Sequence, residues 1–316
     1  MRLLITGSSG QIGTNLALRC LEDGHAVLGV DRRPNPWTAR VETVAADLAV
    51  PQAAELATLE RPDLVVHLAA HAKVHELVRR PELALENMVA TQRVLELCRE
   101  WNVPIVFSSS REVYGDIHRF DTEETSADFA YTESTYSASK IAGEAMVYAY
   151  ARCYGLPYIV FRFSNVYGRY DNDLERMERV IPLFIDRIGR GLPITIYGEG
   201  KILDFTHVDD CVDGIARGIE RLAAGRVANQ TINLAHGTGH SLVEMAGFVG
   251  AALGRTPRIT LAPTQVGEVT RYVANLGKAR SLLGYTPRIP LGDGVPLAVA
   301  WGRGWATGKH GGAETC

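Results

Sequence analysis

Short β-branched runs alternate with longer amphipathic stretches through the first two thirds of the chain. Leu3–Thr6, Ala26–Val30, Leu64–Leu68, Ile105–Ser108 and Tyr158–Phe163 are apolar and bounded by polar, Gly or Pro residues, which predicts buried strands. Gln11–Glu22, Pro81–Trp101 and Ser134–Tyr154 predict helices; in the last, Ile141, Ala145, Tyr148 and Ala149 recur at helical spacing. Such alternation implies an α/β fold, a Rossmann-type doubly wound parallel sheet with helices on both faces.

After Asn165 the rhythm breaks. Arg169–Arg179 is highly charged and reads as a mobile loop; Val180–Gly189, Val208–Ala223 and Ser241–Leu253 read as helices, the last with Ser241 as N-cap. Ile194–Tyr197 and Thr231–Leu234 read as strands. The expected division is a dinucleotide-binding domain over 1–165, with returning segments near 204–236. A smaller, discontinuous α/β substrate domain would take 166–203 and 237–316. The Gly-rich tail Gly302–Cys316 is expected to fray.

Composition narrows the class. With 46% hydrophobic residues in 316, the chain can bury a large core. Its 33 basic and 36 acidic residues leave a net charge of −3, so no basic field favours nucleic acid or a membrane surface. No apolar run is long enough to span a bilayer or to act as a signal peptide. Cys20, Cys98, Cys153, Cys211 and Cys316 form no CxxC pair and no zinc-ligand spacing, which predicts free thiols, no metal and a cytoplasmic location.

The first strand runs into Thr6-Gly7-Ser8-Ser9-Gly10-Gln11-Ile12-Gly13, which opens the first helix. Glycines there let backbone N–H groups approach a pyrophosphate, and the helix N-terminus favours the negative charge. The second strand ends at Asp31, where a carboxylate accepts from the adenosine ribose and opposes a 2′-phosphate, so NAD is expected over NADP despite Arg32 and Arg33. Asp47-Leu48 is placed to reach the adenine, and the small residues of Leu68-Ala69-Ala70 suit backbone lying against the cofactor. His67 reads as a structural histidine.

Tyr136 and Lys140 stand at i and i+4, on one face of a helix. A neighbouring ammonium would lower the phenol toward neutrality and fit it for acid–base work. Ser108-Ser109-Ser110 ends a strand, and Glu112-Val113-Tyr114-Gly115 follows. Together with Gly7/Gly10/Gly13, Asp31, Asp47-Leu48, His67–Ala70, Asn87 and Arg162–Gly168, these residues make the chain resemble the extended short-chain dehydrogenase/reductases. That is the NAD-dependent nucleotide-sugar epimerase/dehydratase family, and the resemblance covers about the whole chain.

The resemblance implies roles. Ser110 would hydrogen-bond the sugar and Tyr136 would move its proton, while Lys140 would hold the nicotinamide ribose. Ser108 and Phe163 would line the nicotinamide, and Asn165 would face the sugar diphosphate. Val180, Ile196 and Tyr197 would lie in the nucleotide-base loops. Asn87 would brace the site, and Arg271 would be a diphosphate contact. The family often carries a Gln-x-Arg element before an Asp-Phe pair. Gly198–Phe205 is one residue shorter and has only Lys201, a point charge in place of a bidentate fork.

The reaction stays open at this level. A 4-epimerase needs little beyond Ser110, Tyr136 and Lys140. A dehydratase resembles it but shows Thr-Asp-Glu, and a uronate decarboxylase Thr-Ser-Glu; here the run is Ser110-Arg111-Glu112. Arg111 removes the dehydratase acid and could instead hold a substrate carboxylate. Glu112 keeps the position that dehydratases and decarboxylases share, as a catalytic group or a structural carboxylate. The expected function is 4-epimerisation of a UDP-hexose or UDP-hexuronate, with dehydratase or decarboxylase as the alternative and a non-catalytic dinucleotide binder as the third. The helices at 81–101 and 134–154 match those of the family's four-helix dimer interface, with Met88, Leu95, Met146 and Tyr150 expected outward, so a homodimer is expected.

Overall fold

The computed structural model describes residues 1–50, 59–116, 119–171 and 179–306. In a seven-stranded sheet, β1 (Arg2–Thr6) is third from one edge, with β2 (Ala26–Asp31) and β3 (Thr43–Ala45) on that side. On the other side follow β4 (Leu64–His67), β5 (Ile105–Ser110), β7 (Tyr158–Phe163) and β11 (Gln230–Leu234). Every pairing is parallel. Leu3 and Ile5 pack into the core on one face and Leu4 into that on the other. That double burial is why β1 reads as an unbroken apolar run and not as an alternating one. Each such leucine or isoleucine contributes roughly 1.5–3 kcal/mol by leaving water.

On one face lie α1 (Gln11–Glu22) and α6 (Val208–Ala223), which pack together. On the other lie α3 (Glu82–Trp101) and α4 (Thr135–Tyr154), with α2 (Val74–Arg79) before them. Strand order reverses at β1, so a crevice opens between the carboxyl ends of β1 and β4, where open α/β sheets take their ligands.

A second sheet is built from β12 (Gly239–Ser241), β10 (Ile202–His207), β14 (Arg271–Ala274) and β6 (Arg119–Thr122), with β8 (Asn165–Tyr167) also pairing β10. β9 (Ile194–Tyr197) pairs β13 (Ile259–Ala262). Helices α5 (Val180–Gly189), α7 (Leu242–Leu253) and α9 (Leu291–Ala306) bury a separate core with Tyr167, Leu203 and Phe205. A short α8 (Gly277–Leu283) packs on α6. Ser241 caps α7 with Glu244 as a reciprocal capping box. β6 comes from the early part of the chain yet belongs to the second sheet, so the two layers share chain segments.

Two expectations need correction. The tail was expected to fray from Gly302, but residues through Ala306 continue α9, because Val295, Ala298 and Val299 are buried and packing outweighs poor Gly propensity. The tail beyond 306 lies outside the described residues, as does most of the charged stretch, 172–178. Leu95 does not face outward; it is wholly buried in the core between α3 and the sheet.

Candidate active site

The Gly-rich turn is tight because two positions admit no side chain. Gly7 has φ +74, and a Cβ there would lie 2.7 Å from Ala69 N. A Cβ on Gly13 would lie 2.1 Å from Gly7 O. Strand, turn and helix therefore close on one another, leaving α1's first N–H groups facing the crevice. Asp31 accepts from Ser9 N and from Arg33 N, each at 3.1 Å. Burial raises its pKa, against the pull of those two bonds.

One cavity of about 1410 Å³ joins this turn to the rest of the predicted site. It is lined by Gly7, Gly10, Gln11, Ile12 and Gly13, by Asp31 and Arg32, and by Asp47 and Leu48. Leu68, Ala69, Ala70, Ser108, Phe163 and Lys140 continue the same wall. Ser110, Arg111, Glu112, Tyr136, Asn165, Val180, Tyr197 and Lys201 line its other end. A bare-backbone cradle, a carboxylate at the end of β2 and small residues after β4 fit a dinucleotide of the NAD type. Asp31 would repel the additional phosphate of NADP.

Tyr136 and Lys140 project from the first turns of α4, whose start is fixed by Ser134 Oγ accepting from Ser137 N at 3.1 Å. The helix is pinned to the sheet through Glu144. Arg162 from β7 donates twice to its carboxylate, at 2.8 and 2.7 Å, and Ser109 Oγ donates at 2.5 Å. Asn87 accepts from His71 N at 2.7 Å and donates to Ser139 Oγ at 3.2 Å, bracing the strand-end loop against α4. His67 is buried beside Thr6 Oγ1 at 2.7 Å, and burial pushes its pKa down to about 3, so it is neutral.

The electrostatics differ from the sequence expectation. Tyr136 is buried, which pushes its pKa up to about 12; a hydrogen bond with Ser110 and the charges of Arg179 and Arg111 pull it back only partly. The Lys140 ammonium does not bring it near neutrality. Its Nζ donates to Ser108 O at 2.8 Å and sits 6.0 Å from the centre of the Tyr136 ring. Burial pushes Lys140 itself down to about 8. Tyr136 therefore stands as a neutral phenol hydrogen-bonded to Ser110, a proton donor that can act as a base only after losing its own proton.

Three substrate expectations shift. Ile196 does not reach the cavity: β9 alternates, so Ile196 is 1% exposed in the core while Tyr197 points outward. Arg271 lies in a separate recess with its guanidinium 5.5 Å over the Phe120 ring. Lys201 lines the cavity but is buried in an ion pair with Glu268, so its charge is already matched. Asn165 donates to Asp204 O at 3.0 Å and keeps its place in the cavity wall.

Sequence reasoning missed Arg179, which it assigned to a loop. The guanidinium enters the cavity just before α5, donates to Gln11 Oε1 beside the Gly-rich turn, and lies 3.5 Å from Asp171. Asp171 is buried, which raises its pKa to about 7. The signal was present in the register: a cation directly before the Val180-Ile181-Pro182 element.

The family follows from comparison with known proteins. A model for the "NAD dependent epimerase/dehydratase family" matches residues 3–235. The chain belongs to that family. Along 95% of this chain and 96% of its own length, a "Probable UDP-glucuronate 4-epimerase" of Rhizobium meliloti is 31% identical. The crystal structure of Thermus thermophilus UDP-glucose 4-epimerase in complex with NAD superposes with a TM-score of 0.86 at 31% identity, over 96% of this chain and 99% of that one. That of Thermotoga maritima UDP-glucose 4-epimerase with UDP-glucose gives 0.89 at 28%, over 97% and 100%. As in the rest of this NAD-dependent enzyme family, the cofactor here is NAD.

Proposed function

We propose that this enzyme is a 4-epimerase of a UDP-linked hexose or hexuronate, with NAD held over the Gly7–Gly13 turn and the sugar at Ser110 and Tyr136. The 1–165 and 204–236 segments would bind the dinucleotide, and 166–203 with 237–316 the sugar nucleotide. Bound NAD supplies a two-electron acceptor and donor beside the sugar ring. Ser110 holds the C4 oxygen through its hydroxyl and shares a hydrogen bond with Tyr136. As the phenolate, Tyr136 takes the proton of that oxygen on oxidation and, as the phenol so formed, returns it on reduction. Lys140 holds the ribose and supports the transient phenolate. Turning the keto sugar between the two half-reactions needs space and no further acid.

The observation that carries this reading is the place of Arg111, where a dehydratase has an acid. Its Nη2 lies 2.9 Å from Glu112 Oε1, so no second carboxyl group is available at 111 to assist elimination. Glu112→Gln tests it. A 4-epimerase should lose less than about tenfold in kcat, since the amide conserves shape. A dehydratase or decarboxylase that uses Glu112 in proton transfer would lose about 10²–10⁴-fold and accumulate reduced cofactor, seen by absorbance. That second outcome would replace the epimerase by a lyase.

Arg179 takes the diphosphate in place of the absent Gln-x-Arg element, supported by its position between Gln11 and the start of α5. Arg179→Gln should raise KM for the nucleotide sugar about 10- to 100-fold with little change in kcat, the pattern of lost uniform binding. An unchanged KM in steady-state assays assigns the diphosphate elsewhere.

The protein acts as a cytoplasmic homodimer. Leu85 and Val89 on α3 are 63% and 40% exposed, and Ala145 and Ala149 on α4, which packs along α3, are exposed too. Two such helix pairs would form a four-helix interface. Multi-angle light scattering should give twice the chain mass at micromolar concentration, and Val89→Arg should halve it. A monomeric wild type contradicts the assembly.

A further inference from the structure

We infer that Arg111 and Glu112 form a carboxylate-binding site at the sugar end of the cavity, which makes a nucleotide-linked hexuronate, and not a neutral hexose, the preferred substrate. The inference rests on the epimerase reading for where the sugar lies. Three observations carry it.

First, both side chains line the cavity that holds Ser110 and Tyr136, and each ends in an orphan. Arg111 Nη1 and Glu112 Oε2 are buried with no hydrogen-bond partner. Buried polar atoms are normally satisfied, so two adjacent ones mark a place where a ligand completes the set. Second, the other carboxylates near them are already engaged. Glu268 is shared by Lys201 and by His75, at 3.3 Å. Asp116 accepts from Thr270 N and Oγ1 at 2.9 Å. Asp204 accepts from the backbone N–H groups of His236, Gly237 and Ala274. Among the described residues only Glu112 reaches the Arg111 guanidinium. Third, Glu112 is poorly placed to stay ionised. Burial raises its pKa and the charges of Glu268 and Asp116 add to that, while Arg111 and Lys201 pull the other way. Protonation of Glu112 on ligand binding would free the Arg111 charge for the ligand and let Oε2 donate as a carboxylic O–H.

A guanidinium N–H beside a carboxylic O–H is a donor pair that an incoming carboxylate can accept on both oxygens. The hydroxymethyl group of a hexose would bring no charge and a single acceptor oxygen, so it would match Arg111 Nη1 and Glu112 Oε2 less well than a carboxylate. The same pairing explains why Glu112→Gln should be mild, because its amide still donates.

The test compares UDP-glucuronate with UDP-glucose by calorimetry on the NAD-loaded Tyr136→Phe enzyme, which binds without turnover. The uronate should bind about 10- to 100-fold tighter, the ratio expected of one charge-assisted pair. Adding Arg111→Met should abolish that ratio, and Arg111→Lys should keep part of it. Equal affinity, tighter hexose binding, or a uronate preference that survives Arg111→Met overturns the carboxylate site and leaves the epimerase reading standing. Failure to bind either sugar nucleotide overturns both.

Discussion

Tyr136→Phe should lower turnover by at least about 10²–10⁴-fold while the protein still folds and still binds NAD. The ring is buried, 7% exposed, and packs with Leu77, Leu83 and Ala84; none of that packing needs the hydroxyl. What the substitution removes is the one hydroxyl that shares a hydrogen bond with Ser110 in the cavity. A phenol raised to about 12 keeps its proton at neutral pH. It can take the proton of the sugar oxygen only once it has given up its own, as a phenolate that Lys140 and bound NAD+ would stabilise. Phenylalanine has no oxygen to accept that proton. The check is single-turnover kinetics with cofactor occupancy measured on the same sample. Near-normal turnover with NAD bound would falsify the assignment of Tyr136 as the proton-transfer group.

Most of the dinucleotide half was legible because its elements are short, buried on both faces and punctuated by glycine. α1, β7 and α6 fall at their expected bounds. β5 runs two residues further than its apolar stretch, because Ser109 and Ser110 still pair with β7 while their hydroxyls face polar partners. Hydrophobic patterning carries no signal for such residues. The second sheet was less legible. β6, β8, β10 and β12 each pair through backbone with chain segments far away in sequence, and Gly198–Phe205 reads as a loop until β14 and β8 flank it.

Side-chain roles divide the same way. Residues fixed by backbone, such as Gly7, Gly13 and Asp31, were found by spacing. Charges were not, because an arginine or lysine is settled by whichever carboxylate comes within reach. Lys201 is claimed by Glu268 and Arg271 stacks on Phe120, while Arg179 turns into the cavity. Ile196 was assigned to the site along with its loop, although strand alternation places Tyr197, and not Ile196, at the surface. The Tyr136–Lys140 spacing located the pair correctly but not its electrostatics. Helical register sets proximity, whereas the Ser108 carbonyl and burial decide where the ammonium points and how readily it holds its proton.

That last point gives the second large effect. Lys140→Met should slow turnover by about 10²-fold and weaken NAD binding about 10- to 100-fold. Methionine keeps the length and the contact with Phe107, whose ring centre lies 5.3 Å from Nζ, so the core beneath α4 should survive. It deletes the only charge on the inner face of α4's first turns that can hold a ribose hydroxyl and stabilise a phenolate. It also leaves Ser108 O without its donor. A pH profile separates this from a general loss of structure. Burial pushes Lys140 down to about 8, against the pull of Glu144, so the ammonium is present below that pH and is lost as pH rises through it. Wild-type turnover should decline along that alkaline limb, because the neutral amine no longer supports the phenolate. The Met variant has no such charge to lose, and its profile should be flat across the same range. An alkaline limb that persists unchanged in Lys140→Met would assign the titration to another group and remove Lys140 from proton transfer.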